Sequence, residues 1–294
     1  MRQTQKLRAL LNGADMVVAP GAYDGITAKF IEQAGFPAVY MTGAGTSAAL
    51  GYPDFGLVTM SEMAANAGNL ARAVDIPVVA DADTGYGNEL NVTRTIQEYE
   101  IRGVAGLHIE DQVSPKRCGH LNGKEIVPRE EFAAKIRAAV AARRDPDFLI
   151  IARTDSRAVA GLDEAIERAN LALSAGADMA FVEATQTLEE MAAVPRRVRG
   201  PCLLNVVRAG KTPDIDMPSA QAMGYKLAIL PSLLFGAAME AFDEALTTLR
   251  ETKTPPSSTG ALALRERFRR LGADEWDLLR TRFREPQPHA QAAE

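Results

Sequence analysis

Lys116-Arg117-Cys118-Gly119-His120 sets a thiol between two cations and an imidazole, in a stretch loosened by glycine. Cationic neighbours lower a cysteine's pKa and favour the thiolate, which can exchange a proton or attack carbon. The pattern predicts a reactive Cys118 with Lys116 and His120 as partners. Free cysteines are often buried and inert, but Lys, Arg, Gly and His are not core neighbours. Cys202, the other of the two cysteines, opens an apolar run and reads as packing. Of the three histidines, His108 sits within an apolar strand and fits a core residue as well as a site, and His289 lies in the tail.

The second chemical signal is acidic. Asp81 and Asp83 fall in Asp81-Ala82-Asp83-Thr84-Gly85-Tyr86-Gly87, and Glu110 ends the run Gly106-Leu107-His108-Ile109-Glu110. Hard oxygen ligands suit Mg2+ or Mn2+, which keep several waters and bind few protein groups directly. Two solvated loop aspartates would look the same on their own; the Gly-Tyr-Gly turn and Arg153 favour the metal. No Ser/His/Asp arrangement and no Cys-x-x-Cys spacing is present. Pro231-Ser232-Leu233-Leu234-Phe235 reads only as the start of a helix after the last strand. A thiol beside hard carboxylates predicts a metal-assisted enzyme, not a binding module.

The elements that position these groups follow from a repeated phrase. A helix-period segment ends near glycine, then a short apolar run ends in a polar residue. Ile31–Gly35 leads into Ala38–Gly43, Ala71–Val74 into Pro77–Asp81, Tyr99–Gly103 into Gly106–Glu110, and Leu173–Gly176 into Asp178–Glu183. Further apolar runs span Met16–Ala19, Phe148–Arg153, Cys202–Val207 and Leu227–Leu230. Strands apolar on both faces belong to parallel sheets covered by helices. The 294 residues suit a (β/α)8 TIM barrel, which typically takes about 250. A doubly wound open sheet is the alternative, weakened by the lack of a Gly-x-Gly-x-x-Gly turn after the first strand. Thr42, Asp81, Glu110, Arg153, Glu183 and Asn205 each fall at a strand's C-terminal end. In a barrel those ends converge on one face, where active sites lie.

The remainder reads differently. Ser232–Arg250 is a long amphipathic helix, Thr252–Gly260 a linker rich in Pro and Ser, and Ala261–Arg270 and Glu275–Phe283 further helices, with fraying from Arg284 onward. The expected division is a catalytic barrel over 1–250 and a helical tail over 251–294 that packs on a neighbouring subunit.

A chain 47% hydrophobic and 24% charged is an ordinary globular one. Its net charge of −5 argues against general nucleic-acid or anionic-membrane surfaces. An anionic small-molecule substrate would be met locally by Lys116, Arg117 and Arg153. Two cysteines make no disulfide framework, and neither a signal-peptide core nor a membrane-length apolar run is visible. The expectation is a soluble cytoplasmic protein.

Lys116–His120, Tyr40–Gly45, Pro53–Gly56, Asp81–Gly87, His108–Gln112, Ala152–Asp155 and Phe181–Ala184 together resemble the isocitrate lyase/phosphoenolpyruvate mutase superfamily, over about Val17 to Arg250. The resemblance implies a barrel whose last helix is exchanged between subunits, a homotetramer built as a dimer of dimers, and Mg2+. It implies that Asp81 binds the metal directly and Asp54, Asp83 and Glu110 mostly through water. Thr42, Gly43 and Ala44 would hold the substrate's carboxylate and 2-oxygen, and Arg153 its 2-oxo acid half. Glu183 and Asn205 would line the pocket. Cys118, Gly119 and His120 would lie on a loop that closes over the substrate, and Tyr40 would act as base toward the 2-hydroxyl.

The implied reaction is Mg2+-dependent cleavage of a 2-hydroxy di- or tricarboxylate to a 2-oxo acid such as pyruvate and a second carboxylate, with Cys118 protonating the carbanion. The expected Ser-Gly-Gly of the first substrate loop is here Thr42-Gly43-Ala44. Where 2-methylisocitrate lyases usually show Thr-Glu, this chain has Val207-Arg208. Asn205–Pro213 and Gly123-Lys124 look closer to lyases of 2,3-dimethylmalate and similar alkylmalates, although Arg208 offers another way to hold a third carboxylate. Phosphonomutases of the carboxyvinyl-carboxyphosphonate type generally lack the Lys-Arg-Cys-Gly-His thiol; oxaloacetate hydrolysis would use the same metal and a bound water.

Overall fold

A computed structural model describes residues 1–260 and 262–284. Two compact units divide the chain, Met1–Ala238 and a second that begins at Met239. In the first, eight strands alternate with helices: β1 (Val17–Ala22), β2 (Val39–Met41), β3 (Val78–Asp81), β4 (Gly106–Glu110), β5 (Leu149–Thr154), β6 (Met179–Val182), β7 (Cys202–Asn205) and β8 (Leu227–Leu230). Each is parallel to the next, and β8 returns to β1 with Val17 opposite Leu227, so the sheet is a closed barrel. This is the (β/α)8 TIM barrel that the apolar runs imply, and closure excludes the open sheet.

Period-two alternation explains why the runs are apolar on both faces. Tyr40, Val79, Ile151, Phe181, Leu203 and Ile229 pack in one buried cluster. Their neighbours Val39, Met41, Val78, Ala80, Leu107 and Ile109 pack instead against Met63, Leu70 and Ile96 of the surrounding helices. Several helices start at a side-chain cap. Asp24 accepts from the Thr27 amide at 2.8 Å, and Thr59 and Glu62 form a reciprocal box; such caps contribute about 1 kcal/mol each.

Strand ends fall where the polar residues predict. Asp81, Glu110 and Asn205 close β3, β4 and β7, Arg153 is next to last in β5, and Thr42 and Glu183 directly follow β2 and β6.

Beyond β8 a helix spans Leu233–Thr252, with no buried residue. It takes in the first residue of the expected linker, and Ser257–Gly260 forms a short 3-10 turn. Helices follow at Leu264–Arg270 and Ala273–Arg284, so Arg284 is still helical; His289 and the expected fraying beyond Arg284 lie outside the described residues. No helix among the described residues is long and apolar enough to cross a membrane.

Candidate active site

The loop after β3 is set by backbone that few residues adopt. Asp83 and Tyr86 have φ of 45° and 63° without being glycine, and Gly85 and Gly87 are also positive. Such conformations persist only where surrounding structure over-determines them. Here Tyr99, fully buried, donates to the Asp81 carbonyl at 3.1 Å, and Tyr86 meets the Tyr99 hydroxyl at 3.0 Å. Asp81 and Asp83 are thereby fixed side by side, the Asp83 amide donating to Asp81 Oδ1 at 2.9 Å.

Lys116 enters this acid group from the cysteine loop. Its buried ammonium pairs with Asp54 and lies 2.9 Å from Asp83 Oδ1. Burial works against its charge, but Asp83, Asp54 and Glu110 hold its pKa well above the ordinary value. Lys116 is thus a fixed counter-charge. Burial opposes ionisation of Asp81, yet His108, Lys116, Arg153 and the Asp83 amide hold its carboxyl below the ordinary value. Asp83 is pushed up to about 6 by burial and by Asp81 and Asp54. Glu110 is pushed well up by burial and by Asp155. Neither Glu110 oxygen has a hydrogen-bond partner, although Arg153 Nε stands 3.1 Å from one of them.

These acids are short of positive charge, and every donor among them is a hard oxygen. That fits Mg2+ or Mn2+. Among the described residues no three His, Cys, Asp or Glu side chains form a metal cage by themselves. The fit to a hard cation therefore rests on the oxygen chemistry of Asp54, Asp81, Asp83 and Glu110 and not on a closed ligand cage.

Above the acids is a cavity of about 230 Å3 lined by Tyr40, Ala44, Asp54, Cys118, Gly119, His120, Arg153, Glu183 and Asn205, with Val207, Pro231, Ser232 and Phe235 closing the side. It is smaller than the roughly 300–1,000 Å3 usual for drug-sized ligands. A larger hollow at the other end of the strands, lined among others by Leu10, Met16 and Pro77, has no cysteine, histidine or tyrosine on its wall.

The barrel floor supplies Tyr40, whose hydroxyl lies 2.8 Å from His108 Nε2 and 3.3 Å from Asp81 Oδ2. Burial pushes the Tyr40 phenol well above its ordinary value, with Asp81 adding to the effect. Burial likewise lowers His108 to about 4, so its ring is neutral at pH 7. His108 is therefore both core and site. Arg153 stacks over Phe181 at 5.2 Å and binds Asp155 by two bonds of 2.9 and 3.2 Å. Its Nη2 also approaches Glu183 at 3.5 Å.

The cysteine loop forms the roof. His120 Nδ1 accepts from the Lys211 amide at 2.9 Å. The proton must then sit on Nε2, which donates to Glu183 Oε1 at 3.1 Å. Asn205 Nδ2 donates to the same carboxylate at 3.1 and 3.3 Å. Gly119 passes so close that a Cβ there would strike Arg153 Nη2 and come within 2.6 Å of Glu183 Cγ. The glycine of the sequence motif is thus required by close approach.

Cys118 corrects the sequence expectation. Its thiol is pushed up rather than down, first by burial and then by Asp54. Lys116 spends its charge on the acids, and Arg117 turns outward over Phe55, 5.7 Å from the ring centre. At neutral pH the resting group is therefore the thiol and not the thiolate.

The remaining expected residues divide. Thr42 caps the short helix Gly43–Ala49, and Gly43 packs so tightly on Asp81 that a Cβ would strike its carboxylate. Arg208 is exposed and lines an adjoining hollow with Val206, Asp214, Ile215 and Asp216, apart from the cavity. Pro231, Ser232 and Phe235, read from sequence only as a helix start, are walls of the site; one serine among apolar residues carries no chemical signal in a sequence.

The family model for phosphoenolpyruvate phosphomutase matches residues 7–250. The chain belongs to the phosphoenolpyruvate mutase/isocitrate lyase superfamily. Within this superfamily, a 2,3-dimethylmalate lyase from Eubacterium barkeri is 48% identical over 255 residues, covering 86% of the chain and 88% of that protein. A 2-methylisocitrate lyase from Aeropyrum pernix is 45% identical over 262 residues, covering 89% and 84%. The solved structure of an oxaloacetate acetylhydrolase in complex with 3,3-difluorooxalacetate superposes with a TM-score of 0.93 at 38% identity, over 97% of the chain and 98% of its own.

Proposed function

We propose that this superfamily member is a Mg2+-dependent carbon–carbon lyase. It would cleave a 2-hydroxy dicarboxylate of the 2,3-dimethylmalate kind, or a tricarboxylate such as 2-methylisocitrate, to a 2-oxo acid and a second carboxylate. The observation that carries the reading is a protonated Cys118 thiol roofing the same small cavity as Tyr40 and Arg153. Asp81, with Asp54, Asp83 and Glu110 through water, would hold Mg2+, which supplies Lewis-acid stabilisation of negative charge on the substrate's 2-oxygen and carboxylate.

The chain's own groups do the rest. Arg153, whose Nε and Nη2 already face Asp155, Glu110 and Glu183, binds the carboxylate of the 2-oxo acid half through Nη1. Tyr40 Oη accepts the 2-hydroxyl proton while passing its own to neutral His108 Nε2. The C2–C3 bond breaks, C2 becomes a carbonyl, and the bond's electron pair stays on C3 beside its carboxylate. Cys118 gives that carbon a proton, and the roof of Gly119 and His120 keeps water out. No electrons leave the substrate, so no redox partner is needed. The cavity's size and Val207 favour the dicarboxylate.

The same reading covers assembly. Met239, Phe242, Leu246 and Leu249 are exposed at helical spacing along Leu233–Thr252, a stripe suited to exchange between subunits in a homotetramer. Residues 251–294 would be a tail packed on a neighbour. Light scattering showing a monomer would remove this part of the reading.

The test is 2-oxo acid release from 2,3-dimethylmalate, 2-methylmalate, 2-methylisocitrate, isocitrate and oxaloacetate, with and without Mg2+. Mg2+-dependent cleavage of the alkylmalates is expected. Turnover of 2-methylisocitrate alone would move the assignment to the tricarboxylate and bring Arg208 into the site. The likeness to oxaloacetate acetylhydrolase makes oxaloacetate hydrolysis the second reading, and turnover of that compound alone would establish it.

A further inference from the structure

Lys124 is an ammonium buried where the proposed reaction gives it no task. Its side chain is 1% exposed and that of Asp155 is 0%. The Nζ atom lies 2.9 Å from Asp155 Oδ1 and also donates to the Gly119 carbonyl. Asp155 Oδ2 in turn accepts from Arg153 Nε at 2.9 Å, and Oδ1 from Arg153 Nη2 at 3.2 Å. One continuous chain of charged bonds therefore runs from the residue after Cys118 to the guanidinium at the cavity wall.

We propose that Lys124 is a positioning residue: a latch that holds the Cys118 roof closed and ties its closure to the setting of Arg153. Three observations carry this beyond packing. First, a buried charge is costly unless paired, and Lys124 finds its pairing only when the Gly119 segment and Asp155 stand together. Second, the loop's other ties begin elsewhere. Gln112 brackets the Arg117 backbone at 2.8 and 3.0 Å, and Lys211 holds His120 and Asn122. His120 also reaches a carboxylate that faces Arg153, since it donates to Glu183, but Glu183 stands 3.5 Å from the guanidinium whereas Asp155, the partner of Lys124, binds it by two bonds of 2.9 and 3.2 Å. Third, it shares the charge of Asp155. Arg153 faces three carboxylates, Asp155, Glu110 and Glu183, and its bonds to them run through Nε and Nη2. With Asp155 partly neutralised by Lys124, Arg153 is drawn less strongly to its neighbour and keeps Nη1 for an incoming carboxylate. Loss of Lys124 would loosen the roof and also pull Arg153 toward Asp155.

The latch rests on the lyase reading for its purpose, but its test does not need the substrate. The rate of Cys118 carboxamidomethylation by iodoacetamide is followed by peptide mass mapping in the wild type, Lys124→Met and Lys124→Arg. Cys202, buried in β7, is the internal control for general loosening. Lys124→Met should speed Cys118 labelling about tenfold or more, as expected when one charge-assisted hydrogen bond leaves the closed state, and leave Cys202 unchanged. Lys124→Arg should restore most of the protection. Equal Cys118 rates in wild type and Lys124→Met would overturn the latch. So would parallel acceleration of both cysteines, which would mean a purely structural lysine. Should Lys124→Met not fold, Asp155→Asn is scored by the same two rates. Absence of lyase turnover in the wild type would overturn the function reading and leave these labelling outcomes intact.

Discussion

Tyr40 Oη and His108 Nε2 stand 2.8 Å apart beneath the cavity, their rings stacked at 5.8 Å with an 18° tilt. A neutral imidazole at that distance gives the phenol somewhere to send its proton. Burial and Asp81 otherwise make Tyr40 reluctant to ionise. Tyr40→Phe keeps the ring and removes the relay. Turnover should fall by roughly 10²–10⁴, the usual worth of one general acid–base group, with Mg2+ binding retained. Calorimetric titration of Mg2+ beside steady-state kinetics checks both halves, and a variant with full turnover would exclude Tyr40.

Cys118→Ser replaces a thiol by a much weaker acid of similar shape. If Cys118 protonates carbon, cleavage should drop by about 10² or more while the fold persists. The pH dependence of the native thiol has a definite sign. Because its pKa is raised, the reactive thiolate appears only at higher pH than in a free cysteine. Iodoacetamide labelling at pH 7 should therefore be slower than that of glutathione and should climb on the alkaline side. Fast labelling at neutral pH would contradict the donor assignment.

Removal of divalent cations leaves Asp54, Asp81, Asp83 and Glu110 facing one lysine and one arginine. EDTA should abolish turnover, and added Mg2+ should restore it. Mg2+ should also raise the melting temperature, since a ligand that binds only the folded state stabilises it. A melting curve indifferent to Mg2+ would count against the proposed ligands.

Arg168 tests the scaffold and not the chemistry. It is buried, and bonds Asp111 at 3.2 Å, the Val127 carbonyl at 2.7 Å and Glu164 at 2.7 Å. Asp111 in turn holds the Asp155 amide and the Thr154 hydroxyl, at 2.8 and 2.6 Å. Arg168→Ala would strand a buried carboxylate, a change that costs about 3–5 kcal/mol. Urea unfolding of the two proteins gives the value directly.

Much of this was legible in the residues because a barrel places strand ends by rule. Asp81, Glu110, Arg153 and Asn205 were visible as polar stops to apolar runs, and closure then brought them to one face. The protonation state of Cys118 was not legible. Lys116 and Arg117 are its neighbours in sequence, but one faces the acids and the other Phe55, so adjacency along the chain misjudged the field at sulfur. The place of Arg208 on the adjoining hollow was hidden for the same reason, since a charge in the sequence says nothing of which hollow it borders. Pro231, Ser232 and Phe235 were hidden because a wall needs only shape.

The close approach of Gly119 to Arg153 and Glu183 also says where this enzyme can be re-engineered. The ceiling admits no side chain at all, so a library that varies Gly119 would be spent on inactive clones. Room for a bulkier substrate has to be cut at the uncharged lining residues Val207, Ser232 and Phe235, where each replacement trades volume without disturbing a charge.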